Sequence, residues 1–142
     1  MLDQQQQREL ITKAGLRITA QRLALVKLLF ADETPRHVTA EDIYTQANKN
    51  DASMSLATVY NTLHRFTEVG LLHEVLVEPE RVWFDTNMHN HHHIYDEDTG
   101  ILTDIPAIPL SEMAVPYLET GKQIEQIDLM IRVRSQPTSL NP

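Results

Sequence analysis

The sequence predicts an α+β chain in two parts, and three observations carry the prediction. Before residue 70, segments with apolar residues at helical spacing follow one another; a pair of short β-rich runs comes directly after them. Near the end, Ile127, Leu129, Ile131 and Val133 alternate with Asp128, Met130, Arg132 and Arg134, the pattern of a half-buried strand. A length of 142 residues accommodates one domain or two small ones with modest cores.

The elements follow in order. Met1–Gln7 is polar and glutamine-rich and is expected to fray before a short helix that ends near Gly15. Thr19 reads as the N-cap of a helix to about Ala31, with Leu25, Leu28 and Leu29 on one side, and Asp32-Glu33-Thr34-Pro35 breaks it. Thr39-Ala40-Glu41-Asp42 has the form of a capping box, and Ala40, Ile43, Tyr44 and Ala47 follow at i, i+3, i+4 and i+7. Ser55 caps the clearest helix. Its Leu56, Val59, Leu63 and Phe66 form the expected buried stripe, Thr58, Asn61 and Arg65 lie opposite, Tyr60 and His64 flank, and Gly70 supplies the stop. Leu72–Val77 and Arg81–Asp85, joined through Glu78-Pro79-Glu80, read as a β-hairpin. Helices followed by a hairpin are the order of a winged helix-turn-helix, in which the last helix enters the DNA major groove and the hairpin is the wing. Residues 1–85 are therefore expected to form a winged-helix DNA-binding domain.

Residues 86–142 are expected to form a small α/β dimerisation and sensing domain. Strands are predicted over His91–Tyr95 and Ile101–Ile105, with Asp98-Thr99-Gly100 as the turn. Leu110, Met113, Ala114, Tyr117 and Leu118 have helical spacing interrupted by Pro116, and Gln136–Pro142 reads as a disordered tail. One helix on a three-stranded sheet is too small to stand alone comfortably, so a homodimer is expected.

Composition excludes several functions. With no cysteine, the chain has no disulfide, thiolate zinc site, iron–sulfur cluster or cysteine nucleophile, so any metal must be held by nitrogen and oxygen. No apolar run is long enough to span a bilayer and no signal-peptide pattern is present, so a cytoplasmic protein without membrane contact is expected. Net charge is −8, which taken alone argues against nucleic acid. Its distribution argues otherwise: residues 5–30 hold Arg8, Lys13, Arg17, Arg22 and Lys27 against Glu9 alone, and could face phosphate or simply be a solvated helical face.

Four of the seven histidines fall in His89-Asn90-His91-His92-His93. Such a tract can be a solvated loop, but neutral imidazole is also a versatile ligand for transition metals and heme iron. In an extended chain His91 and His93 share one face and His92 points to the other. Carboxylates must then come from elsewhere.

Three segments in register, Gly15-Leu16-Arg17-Ile18-Thr19-Ala20-Gln21-Arg22, His37-Val38-Thr39-Ala40-Glu41-Asp42-Ile43-Tyr44 and Ser55-Leu56-Ala57-Thr58-Val59-Tyr60-Asn61-Thr62-Leu63, resemble the DNA-binding domain of the ferric uptake regulator family. The resemblance covers about Leu10–Asp104. It implies that Ser55, Thr58, Tyr60 and Asn61 read bases and phosphates, that Arg17 reaches the minor groove and that Arg22 contacts phosphate, on a palindromic double-stranded operator. It also implies a regulatory iron, manganese or zinc ion held by His37, Asp85, His91, His93 and Asp104. On the residues alone, Tyr60 could equally be a half-buried flank aromatic, Asn61 an ordinary exposed residue and His37 a surface histidine.

Two departures narrow the resemblance. Asp96-Glu97-Asp98-Thr99 stands where the family's first structural cysteine pair would be, so a four-cysteine zinc site is not expected, and Ile127 stands where a second family metal site needs histidine. The triple histidine makes the chain most similar to the iron response regulator branch of α-proteobacteria. That likeness implies heme as a cofactor at His91, His92 and His93, a heme-supplying enzyme as partner, and a repressor of iron and heme genes, active under iron limitation and released from DNA by heme. Alternatives left standing are a family member sensing ionic iron, manganese or peroxide, a metal or heme buffer, and a small hydrolase that activates water at the histidines.

Overall fold

The computed structural model describes residues 2–32, 34–50, 52–78, 81–107, 118–124 and 127–137. The chain divides into two compact units, Met1–Met88 and His89–Pro142. Thr86 and Asn87 belong to the first: the Thr86 hydroxyl accepts the Arg36 N–H at 2.8 Å, and the Asn87 N–H donates to Asp85 Oδ1 at 2.8 Å.

The first unit opens with α1, Gln4–Lys13. The glutamine-rich start is helical from Gln4 rather than frayed, because Asp3 and Gln6 close a reciprocal capping box at 2.7 and 2.9 Å. Helix α2, Ala20–Leu29, begins as expected at Thr19, whose Oγ1 accepts the Arg22 N–H at 3.1 Å. It ends two residues early, since Phe30 leaves helical geometry (φ −115°, ψ 33°). The two-residue strand β1, His37–Val38, was not legible in the pattern; the box of Thr39 and Asp42 then starts α3, Ala40–Lys49. Helix α4, Leu56–Glu68, is capped by Ser55 and followed by Gly70 at φ +83°, a conformation that glycine alone adopts without strain.

Strands β2, His73–Glu78, and β3, Arg81–Asp85, pair antiparallel, and β1 joins the other edge of β3 to give the order β1-β3-β2. The core of this unit is Ile11, Leu25, Val26, Leu29, Ile43, Val59, Leu63, Phe66 and Phe84, all buried. The expected α4 stripe is correct from Val59 onward. Leu56 is the exception, 39% exposed, because it occupies the first position of the helix, one turn ahead of the packed residues.

The second unit is a mixed sheet of order β5-β4-β6, with β4 at His91–Asp96, β5 at Leu102–Pro106 and β6 at Met130–Val133. Strands β4 and β5 are antiparallel; β4 and β6 are parallel. Strand β6 is shorter than the alternating stretch because its pairing begins irregularly: Leu129 C=O accepts the His93 N–H at 3.1 Å, but the Leu129 N–H donates to the His92 ring. The β4–β5 turn is organised by Asp96 Oδ1, which accepts the N–H groups of Asp98 and Thr99 at 2.9 and 3.3 Å. Polar contacts tie this turn to the C-terminal strand. Glu97 meets Arg134 at 3.0 Å and Arg132 at 3.8 Å, and the Ser135 N–H donates to Asp98 Oδ2 at 2.5 Å. That Ser135 bond, a second from the Ser135 side chain and the nearby Arg134 charge hold the Asp98 carboxyl below its ordinary 3.8. The helical pattern over 110–117 and the last five residues lie outside the described residues. Among the described residues no helix is long and apolar enough to cross a membrane.

Candidate metal centre and nucleic-acid interface

Sheet geometry gathers three donors in the second unit. His91 and His93 are two residues apart on β4 and so project from one face; β5 runs antiparallel with Asp104 directly opposite His93. The two Nε2 atoms are 3.0 Å apart, and Asp104 Oδ1 lies 3.2 Å from His91 Nε2 and 3.3 Å from His93 Nε2. This is a nearly equilateral triangle of ligand atoms. For an ion bound at about 2.1 Å, cis ligands in an octahedron are about 3.0 Å apart and ligands in a tetrahedron about 3.4 Å apart. The triangle fits either as one face.

The local chemistry prepares those atoms. His91 Nδ1 lies 2.5 Å from the His89 carbonyl oxygen, the arrangement in which Nδ1–H donates and leaves the neutral ring's lone pair on Nε2. Two imidazole lone pairs at 3.0 Å repel unless one nitrogen is protonated or a cation sits between them. A divalent ion satisfies both nitrogens and the carboxylate together.

The first unit holds a second, smaller donor set. Asp85 sits on the central strand β3, wholly buried, and its register partner on β1 is His37. His37 Nε2 and Asp85 Oδ2 are 3.2 Å apart, with Asp85 Oδ1 held by the Asn87 N–H. Two protein ligands are fewer than the three or four that zinc sites use.

His92 departs from the heme expectation. It lies on the opposite face of β4, is 2% exposed, and its Nδ1 accepts the Leu129 N–H at 3.3 Å, while Nε2 is buried without a hydrogen-bond partner. His91 and His93 share the other face with their Nε2 atoms 3.0 Å apart, so strand alternation does not bring His92 together with them.

The residues expected on DNA all belong to the first unit, in different states. Arg17 is exposed. Arg22 is half-buried and spends one Nη1 donor on the Arg17 carbonyl at 2.7 Å, bracing that segment. Ser55 Oγ accepts the Thr58 N–H at 3.1 Å and lies 3.0 Å from Thr58 Oγ1, so both hydroxyls serve the helix cap. The Tyr60 ring packs 4.8 Å from His64 and 6.2 Å from Phe84, tying α4 to β3. Asn61 is exposed, as are Leu56 and Ala57, which sequence reasoning did not select because it assigned Leu56 to the core and gave Ala57 no role.

A helix-led domain with an exposed first turn, joined in one chain to a two-histidine, one-carboxylate donor set, fits the class of metal-sensing transcription regulators. Residues 13–132 match the ferric uptake regulator family, and the chain belongs to it. Members of that family bind DNA, act as dimers and are transcription regulators rather than enzymes, which removes the hydrolase reading. The chain is 36% identical over 103 residues to the peroxide-responsive repressor PerR of Staphylococcus aureus, covering 72% of this chain and 68% of that protein. Among solved structures it is similar to the ferric uptake regulator of Pseudomonas aeruginosa with manganese, at a TM-score of 0.74 and 26% identity over 92% of this chain and 98% of that one. The Vibrio cholerae ferric uptake regulator shares the fold, at a TM-score of 0.74 and 24% identity over 90% and 98%.

Proposed function

We propose that this chain is a homodimeric repressor of winged-helix type whose affinity for a palindromic operator is set by one ionic divalent metal per chain, manganese(II) or iron(II). The observation that carries the reading is the triangle of His91 Nε2, His93 Nε2 and Asp104 Oδ1, whose sides match the ligand spacing of a small divalent ion. The family resemblance adds His37 and Asp85 as ligands, giving three imidazoles and two carboxylates without the thiolates that would favour zinc. Among the described residues of the second unit three protein ligand atoms face one another, which supports the reading. So does the chain order, in which Asp85 and His91 flank the division after Met88. An ion that takes ligands from both units favours one arrangement of them over others, which links metal binding to DNA binding.

A peroxide response is a second reading, favoured by the similarity to PerR and by the histidine-rich donor set, in which ferrous iron would direct oxidation at a ligating imidazole. Heme release, implied by the iron response regulator likeness, is the outcome that would displace both. One experiment separates them. Duplexes enriched from a random library by the full-length protein are used in electrophoretic shifts with a chelator, with manganese(II), with iron(II) before and after peroxide, and with hemin. The proposal predicts a shift that needs manganese or iron and is unaffected by hemin at one equivalent. Failure to enrich any duplex under any metal would sink it, and a shift that hemin alone abolishes would restore the heme reading.

A further inference from the structure

Several side chains at the front of α4 already hold partners within the first unit. Ser55 and Thr58 hydroxyls serve the N-cap, Thr62 Oγ1 donates to the Thr58 carbonyl at 2.8 Å, Arg65 pairs with Glu68 at 2.7 Å, and Tyr60 leans on His64 and Phe84. The exposed remainder of the first two turns is Leu56, Ala57 and Asn61. Leu56 neighbours Tyr60 at i+4, and Ala57 neighbours Asn61 at i+4. The result is a short apolar edge beside one amide, with no free cation before Arg65 in the described helix.

We propose that Leu56, with Ala57 beside it, determines operator specificity by packing on the 5-methyl groups of thymine, next to an adenine held by Asn61. In the major groove thymine alone presents a methyl, and the adenine N6/N7 edge matches a carboxamide in bidentate geometry. A guanine edge calls for arginine or lysine, which this surface does not offer. Burial of one methyl on a leucine is worth about fourfold in affinity, and about fifteenfold when both half-sites of a dimer lose it.

This inference rests on the proposed DNA-binding role of α4, and its test fails in a different way. In the duplexes enriched by full-length protein with manganese(II), each thymine is replaced in turn by deoxyuridine, which keeps every hydrogen-bonding group and removes only the methyl. The expected result is a loss of about fourfold at one or two thymines per half-site. Leu56→Ala, with its fold checked by circular dichroism, should weaken binding to the thymine duplex and bind thymine and deoxyuridine duplexes alike at that position. Equal affinity for every deoxyuridine duplex overturns the inference while leaving the DNA-binding reading intact. Discrimination that survives in Leu56→Ala overturns it as well. If no duplex is enriched, the underlying reading fails and the inference falls with it.

Discussion

Replacing His37 with alanine in the metal-free protein removes the imidazole 3.2 Å from a carboxylate that is wholly buried on the central strand of the first sheet. Asp85 keeps the Asn87 N–H at 2.8 Å but loses this partner. A hydrogen bond to a charged group contributes about 2 kcal/mol. For a unit of this size, 1 kcal/mol moves the midpoint by about 4–8 °C, so His37→Ala should lower Tm by about 8–16 °C. The assay is a far-UV circular dichroism melt in chelator, which reports α1–α4. A second variant separates loss of the pair from loss of ring packing. Asp85→Asn combined with His37→Ala should cost less than the sum of the single changes, because the two side chains interact with each other in the folded protein. A His37→Ala melt within about 2 °C of wild type would refute the claim that this pair is an energetic part of the sheet.

Other expectations follow from the same geometry. Ser55→Ala removes the α4 cap and should cost about 1 kcal/mol in urea unfolding, with Thr58→Ala milder because its backbone N–H keeps its acceptor. Asp98 has a depressed carboxyl, so its contribution to stability is present above its ordinary 3.8 and is lost as pH falls through the lower folded value; Asp98→Asn should therefore destabilise the protein at neutral pH and reduce its loss of stability on acidification, measured by urea midpoints across pH. His92→Phe should leave divalent-metal affinity within a few fold of wild type, whereas His93→Phe should abolish tight binding, as read by isothermal calorimetry. Tight metal binding by His93→Phe would remove that residue from the site.

Where local chemistry decided the outcome, the sequence was legible. Thr39 with Asp42, Thr19 and Ser55 start helices because their oxygens satisfy N–H groups that nothing else can reach, and Gly70 ends one because its φ is positive. The separation of His92 from His91 and His93 follows from strand alternation alone. Strand β1 was not legible, because two residues carry no period and its existence depends on pairing with β3, about fifty positions away in the chain. The glutamine-rich start was misjudged because polarity was weighed above the Asp3–Gln6 box. Leu56 was misjudged because periodicity cannot tell the first turn of a helix from its packed middle. The histidine run itself points to His91 and His93, and the family resemblance to Asp104; their convergence depends on the β4–β5 register, which a single sequence does not specify.

The central claim is that one ion draws ligands from both units, and a manganese(II) titration of the full-length protein tests it most directly. Wild type should bind one ion per chain tightly, and His37→Ala and Asp104→Asn should each weaken that same event while abolishing the manganese-dependent shift of the enriched duplex. Undiminished manganese affinity in His37→Ala alongside lost affinity in Asp104→Asn would place the ion in the second unit alone and contradict the account.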